Sequence, residues 1–392
     1  MSDATVIVYA KRTPIGNLGG CLANVPAPKL GGKLVEDART TLNLKPNSVD
    51  SIYMGQVLTA GVGQAPARQT ALHGGLHHNV CATTLNRVCG SGLKAVMIGD
   101  QAIRAGDENI SFCGGQENMS LAPHFIPNSR TGFRFGDAIL KDHMQYDGLW
   151  DPYSDQAMGH FGDLCAEKYG WSREDQDAFA IQSYTKAKQA IEIGAFEEEI
   201  LPIMVHKKKQ TQQIDRDEGP YALDLAKVAG LRPAFNKNGS VTAANASSLN
   251  DGAALCVMMR ESQANELGLQ PLAKIIAQAS VAQAPEWFTT APIACIQKLM
   301  HKTKLNTENI DLFEINEAFS CVTMAAIQEL QLPRECVNIY GGAVALGHPI
   351  GASGTRILVT LIHALRRNNL KRGLATLCIG GGEASGVVIE AI

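Results

Sequence analysis

Three segments of the chain set reactive side chains among glycines. Cys89 opens Cys89-Gly90-Ser91-Gly92 ahead of an apolar run from Leu93, His348 stands in Gly347-His348-Pro349, and Cys378 precedes Gly380-Gly381-Gly382. A cysteine in a tight bend that feeds a helix meets free backbone N–H groups and the positive end of the helix dipole. Both favour the nucleophilic thiolate. The glycines around His348 let backbone approach a ligand closely. Two blander readings stay open for it, a core histidine satisfied by backbone and a bystander in a phosphate loop, although no Gly-Lys-Ser/Thr ending follows. Cys378 ends an apolar run read as a buried strand, where α/β sheets bind ligands, and the glycines after it can form an anion nest. Asn316, in Asn316-Glu317-Ala318-Phe319, is either a turn residue or a dipole that holds a water or an oxyanion. A cysteine, a histidine and a second cysteine in such settings point to acyl transfer through a covalent intermediate.

Elements must bring these groups together. Residues 50–58 read as a strand, Leu93 to Ile103 as a helix and 109–115 as a strand ending in glycines. The order returns near the C-terminus as the strand-like run at 310–319, the bend and apolar helix from Ile350, and the glycine-ended strand at 374–383. Strand, bend-helix and glycine-ended strand thus occur twice, which predicts two related α/β halves with a largely parallel sheet. Between them, roughly 122 to 248, the pattern breaks. Ser172 and Asp175 form a capping box for a helix to about Ile193, stopped by Gly194. This middle segment reads as a lid or a substrate-binding insertion.

Composition narrows the class. Of 392 residues, 45% are hydrophobic and 19% charged, and the formal charge is −3. That excludes a nucleic acid or a membrane surface as the main partner. Lys207-Lys208-Lys209 is too short to change this and reads as a solvated loop. No stretch of 18 apolar residues occurs, and the strand-like start leaves no room for a leader, so a cytoplasmic protein is expected. The ten cysteines form no Cys-x-x-Cys pair. Most read as small apolar fillers, Cys256 among them.

The segments Val88-Cys89-Gly90-Ser91-Gly92, Asn316-Glu317-Ala318-Phe319, Gly347-His348-Pro349 and Cys378-Ile379-Gly380-Gly381-Gly382 resemble the thiolases in order and spacing. So do Gly114-Gly115-Gln116-Glu117-Asn118-Met119-Ser120 and Ala243-Ala244-Asn245-Ala246-Ser247. The resemblance covers essentially the whole chain and is nearest to the short-chain branch acting on acetyl-CoA. It implies two pseudo-symmetric βαβαβαββ halves in α/β/α/β/α layers with an inserted loop domain: 1–121 with 248–270, 122–247, and 271–392. It implies reversible condensation of two acetyl-CoA to acetoacetyl-CoA by ping-pong kinetics. Cys89 carries the acyl group, His348 takes its proton and Cys378 is the second acid/base. A water held by Asn316, with His348, stabilises the enolate. The N–H groups of Cys89 and Gly380 form a second oxyanion hole.

Coenzyme A is then substrate and product, with no resident cofactor required. Ser247 contacts its pantetheine arm, and Leu149, Met158, Phe235, Ala243, Ala246, Phe288, Ala318 and Phe319 line the tunnel. Bulky Met and Phe there favour short acyl groups. Ala157 stands where the branch usually carries His. Phe288, Val344 and Tyr221 resemble a sub-branch that takes 2-methylacetoacetyl-CoA and is activated by potassium, bound near Ala243, Ala244, Ala246 and Val344 with a tyrosine hydroxyl. A homotetramer clasped by the loop from Pro123 to Lys141 follows from the same likeness. The alternatives are a broader 3-ketoacyl-CoA thiolase, a synthase acting on carrier-protein thioesters, and a non-catalytic acyl-CoA-binding protein.

Overall fold

Apolar, β-branched runs form the strands, and their partners follow a pattern used twice. The computed structural model describes residues 3–207 and 210–392, so Lys208 and Lys209 of the basic run lie outside the described residues. The first half holds β1 (Thr5–Arg12), β2 (Ser51–Gly55), β3 (Cys81–Leu85), α1 (Ser91–Ala105), β4 (Ile110–Asn118) and β5 (Asn250–Arg260). Strand β2 lies parallel to β3 and β4, β4 antiparallel to β5, and β5 antiparallel to β1. Cys256 is buried in β5, as its apolar neighbours predict.

Between β4 and β5 the chain leaves the sheet for the insertion. Its helices are α2 (Met158–Tyr169) and α3 (Arg173–Glu192), the latter opened by the predicted capping box of Ser172 and Asp175. Gly194 follows with φ of 66°. Arg12 of β1 anchors the insertion: its Nε lies 2.5 Å from Glu199, and its Nη1 and Nη2 donate to Asp217 at 2.7 and 2.9 Å. The loop at 126–140 exposes Phe133, Phe135, Ile139 and Leu140.

The second half holds β6 (Ala273–Ala282), β7 (Leu312–Ile315), α4 (Ile350–Arg367), β8 (Arg372–Ile379) and β9 (Glu383–Ala391). Its pairings repeat the first: β7 parallel to β8, β8 antiparallel to β9, β9 antiparallel to β6. The halves join where Val6 and Ile7 face Lys274 and Ala273. The predicted repeat is therefore present, but the sheet is mixed rather than largely parallel. A tight turn at Gly380–Gly382 joins β8 to β9, and neighbours joined without a crossover helix run antiparallel. The insertion occupies the place of that turn in the first half.

Helix α4 is buried on every residue from Ile350 to Leu365, the mark of a central layer. It crosses α1 at very close approach. A Cβ on Gly92 would meet Thr355 Oγ1 at 2.8 Å, and one on Gly354 would meet the Leu93 nitrogen at 2.4 Å. Two glycines thus bring the N-termini of α1 and α4 together, one from each half. Among the described residues no helix is long and apolar enough to cross a membrane.

Candidate active site

Cys89 sits in the bend that precedes α1. Val88 holds φ of 45°, a costly conformation for a β-branched residue. Ser91 fastens the bend: its hydroxyl donates to the Val88 carbonyl at 2.6 Å and accepts from the Arg87 N–H at 2.8 Å. Asn86 Oδ1 accepts from the Val88 N–H at 2.8 Å. Burial is the largest influence on the Cys89 thiol, and the nearby N–H groups of Gly380 and of Cys89 itself oppose it. The two N–H groups favour the thiolate, as the bend predicts, and burial works against it. Burial outweighs both donors and pushes the thiol up to about 11, because a charged sulfur there loses its hydration.

His348 lies just before α4 and is buried. Its backbone N–H donates to Asn250 Oδ1 at 2.9 Å. Its Nδ1 lies 2.5 Å from Ser353 Oγ, whose own proton goes to the Pro349 carbonyl at 2.9 Å. That hydroxyl can then only accept from the ring, so Nδ1 carries the hydrogen and Nε2 keeps a lone pair. Nε2 is buried without a partner. Burial, with the Arg356 cation second, holds the imidazole down to about 3. It is a neutral base with its lone pair free.

Cys378, the next-to-last residue of β8, is fully buried. Burial raises its thiol far above the usual range, and the nearby Cys89 sulfur adds to the rise. Asn316 follows β7. Its N–H donates to the Thr376 carbonyl at 3.0 Å and its Oδ1 accepts from Arg356 at 3.4 Å. Its Nδ2 is a buried donor without a partner. The loop segments are interlocked: Ile379 fills the space beside Gly90, and Gly351, at the start of α4, donates its N–H to Glu117 at 2.9 Å. Glu117 also accepts from Val57 and Leu58 at 3.0 and 3.1 Å, and burial raises it to about 7.

A cleft of about 420 Å³ reaches the residues that flank Cys89 and Cys378, lined by Val88, Gly148, Trp150, Tyr153, Met158 and Gly380 among others. Behind it Ala246, Phe288, Ala318, Phe319 and Cys378 share one apolar cluster, with Met158 packed against it. Phe319 meets Phe288 and Phe235 edge to face at 6.4 and 6.2 Å. Leu149 packs with Cys89 against Val57, Leu58, Met119 and Ile350. Ser247 donates its N–H to the Ala318 carbonyl at 2.9 Å. Ala157 caps α2 beside Met158.

The suggested potassium residues do not all meet. Ala244 and Val344 are buried, and the Val344 N–H reaches Glu317 at 3.3 Å. Ala243 is exposed and lines a separate cleft with Tyr184. Tyr221 is 54% exposed, and the Lys188 ammonium lies 5.8 Å from its ring centre. The tyrosine beside Ala243 is Tyr184. Ser353, Glu117 and Asn250 were missed. An acid inside the glycine-rich strand 114–117 was the one signal of a special role for Glu117.

A thiol under two N–H donors, a neutral imidazole and a second thiol, set between two α/β halves, define an acyl-transfer enzyme of the two-thiol kind. The thiolase N-terminal domain matches residues 5–262 and the thiolase C-terminal domain residues 269–391, and the chain belongs to this family. It is 48% identical to an acetyl-CoA acetyltransferase of Cupriavidus necator, over all of both chains. It is 50% identical to one of Pseudomonas aeruginosa, over 96% of this chain and 97% of the relative. The crystal structure of a Bacillus anthracis acetyl-CoA acetyltransferase superposes with a TM-score of 0.97 at 39% identity, covering 100% of this chain and 99% of that one. An Ascaris suum thiolase in complex with coenzyme A gives 0.93 at 40% identity, over 99% of this chain and 100% of that one.

Proposed function

We propose that this thiolase is an acetyl-CoA C-acetyltransferase that forms and cleaves acetoacetyl-CoA. The observation that carries the reading is the meeting of the two halves at Cys89: Ile379, between Cys378 and Gly380, fills the space beside Gly90, and His348 Nε2 and Asn316 Nδ2 are buried without partners. As Cys89 attacks the thioester carbonyl, His348 Nε2 takes its proton. The oxyanion forms against the two N–H donors, each worth about a hundredfold or more in rate. The C–S bond to coenzyme A breaks, and the departing thiolate recovers the proton. Cys378 then passes its proton to the free His348 Nε2, and the resulting thiolate removes the α-proton of a second acetyl-CoA. The protonated His348 Nε2 and Asn316 Nδ2 then donate to the enolate oxygen, the enolate carbon bonds to the acyl carbon, the C–S bond to Cys89 breaks, and His348 returns its proton to the Cys89 sulfur.

Phe288 and Phe319, packed around Cys378, favour an acetyl-sized acyl group. Two variants test the assignment by intact-protein mass spectrometry. Cys89→Ala should take up no acetyl group, and Cys378→Ala should be acetylated yet form no acetoacetyl-CoA. A Cys89→Ala enzyme that still turned over would sink it. Activation by potassium and use of 2-methylacetoacetyl-CoA rest on the resemblance; assays of both substrates with and without the ion decide them. A homotetramer is proposed on the same ground, and a cytoplasmic location on the sequence reading. The exposed apolar loop at 126–140 and the partly exposed edge strand β3 support self-association.

A further inference from the structure

The two donors around the Cys89 sulfur come from opposite halves of the chain, and neither donor loop is held by local preference. Val88 carries φ of 45°, and Gly381 and Gly382 carry 90° and 89°. Val88 stays there only because surrounding contacts hold it, and the two glycines adopt their φ freely and so fix the turn weakly. One side chain spans the two loops. Arg87 Nε lies 2.8 Å from Glu383 Oε2, and Arg87 Nη1 donates to Ser280 Oγ at 3.1 Å. Ser280 Oγ is in turn 3.1 Å from Ser385 Oγ. Arg87 is two residues before Cys89, and its N–H is fixed to Ser91. Glu383 is three residues after Gly380, where β9 begins opposite Ala282 and Ile379. Among the described residues no other ion pair joins the Cys89 bend to the 380–383 turn. Val88, Gly380 and Gly381 line the cleft, but neither Arg87 nor Glu383 does.

We propose that the Arg87–Glu383 ion pair is a positioning device that sets the separation of the Cys89 and Gly380 N–H donors. It thereby governs acyl transfer at Cys89, without touching the reacting atoms or coenzyme A. The inference rests on the acyltransferase reading and deepens it. A site that must hold its donors to about 0.5 Å needs such support. A partly exposed pair contributes little to global stability, so its loss is expected in the rate rather than in folding.

The experiment compares Arg87→Met, Glu383→Gln and the reversed pair Arg87→Glu with Glu383→Arg. Single-turnover acetylation of Cys89 by acetyl-CoA should slow about tenfold in both single variants, less than the loss of a whole donor, with KM for coenzyme A unchanged. The reversed pair should regain most of that rate. Alkylation of Cys89 by iodoacetamide builds no oxyanion and feels the donors only through the thiolate population, so its rate should fall less than the acetylation rate in both single variants. Slowing of alkylation as large as that of acetylation would mean a generally disordered loop and would overturn the proposal. A raised KM for coenzyme A in Arg87→Met alone would make the arginine a ligand contact and also overturn it. p-Nitrophenyl acetate, which needs the donors but not coenzyme A, keeps the two readings apart. Wild-type enzyme acetylated by the ester and not by acetyl-CoA would refute the substrate and leave the ion pair under test.

Discussion

The Cys89 thiol, held up to about 11, and the His348 imidazole, held down to about 3, exchange no proton at rest near pH 7. Burial is the main cause of both shifts, since each charged form would lose its water. Proton transfer must then accompany carbonyl attack instead of preceding it. Iodoacetamide alkylation of Cys89 should climb about tenfold per pH unit from 6 to 9 without levelling. A plateau near pH 7 to 8 would reveal a preformed thiolate–imidazolium pair and refute this account. The tautomer assigned to His348 makes a second claim. Ser353→Ala removes the acceptor at Nδ1 and should slow acetylation about tenfold, a share of what a positioned base supplies. An unchanged rate in that variant would leave Ser353 without a part. Cys89, His348, Cys378 and Asn316 were legible because glycines or a strand end mark them. Ser353 and Glu117 were not. Their roles depend on which ring nitrogen or which N–H groups of the other half stand opposite, and no local pattern records that.

Helix crossing converts these residues into a site. The bend at Cys89 and the loop at His348 precede α1 and α4, whose contact is glycine against backbone. Gly354→Ala would set a methyl 2.4 Å from the Leu93 nitrogen and 2.7 Å from its Cβ. Backbone cannot yield cheaply, so the helices must part by some tenths of an ångström or more. Acetylation by acetyl-CoA should fall about a hundredfold, the usual effect of misplacing reacting groups by about 1 Å. Circular dichroism should show the fold retained. Wild-type turnover in a folded Gly354→Ala enzyme would disprove control by this crossing. Strand and helix positions at 51–55, 91–105, 110–118 and 172–194 were readable from apolar runs, glycine stops and the capping box. Strand direction was not. Whether a connection crosses over or turns back depends on what lies between two strands, and the insertion hid a turn-like link between β4 and β5.

The whole molecule folds around buried ionisable groups, and these give its stability a pH dependence with a definite sign. The duplicated halves were legible in the sequence. The buried charges were not, because Arg12, Glu199, Glu314 and Arg356 carry no local mark of burial. Burial raises Glu314 to about 8, against the opposing pull of Arg356, and Glu117 to about 7. A carboxyl raised by folding keeps a proton that the unfolded chain has released. Its stabilising contribution is complete below the unfolded value near 4.5 and is lost as pH rises through the folded one. For Glu117 that loss is finished near pH 7 and for Glu314 near pH 8. His348 works in the opposite sense: its contribution is present above the unfolded value of 6.5 and is lost as pH falls toward about 3. From pH 6.5 to 8 the imidazole contribution is therefore constant while the Glu314 contribution drains away. The urea midpoint should fall between pH 6.5 and 8.5 in the wild-type protein. Glu314→Gln, which cannot ionise, should show a shallower fall over the same interval. A midpoint that rose with pH, or a Glu314→Gln slope equal to the wild-type slope, would show that Glu314 does not hold its proton in the folded protein.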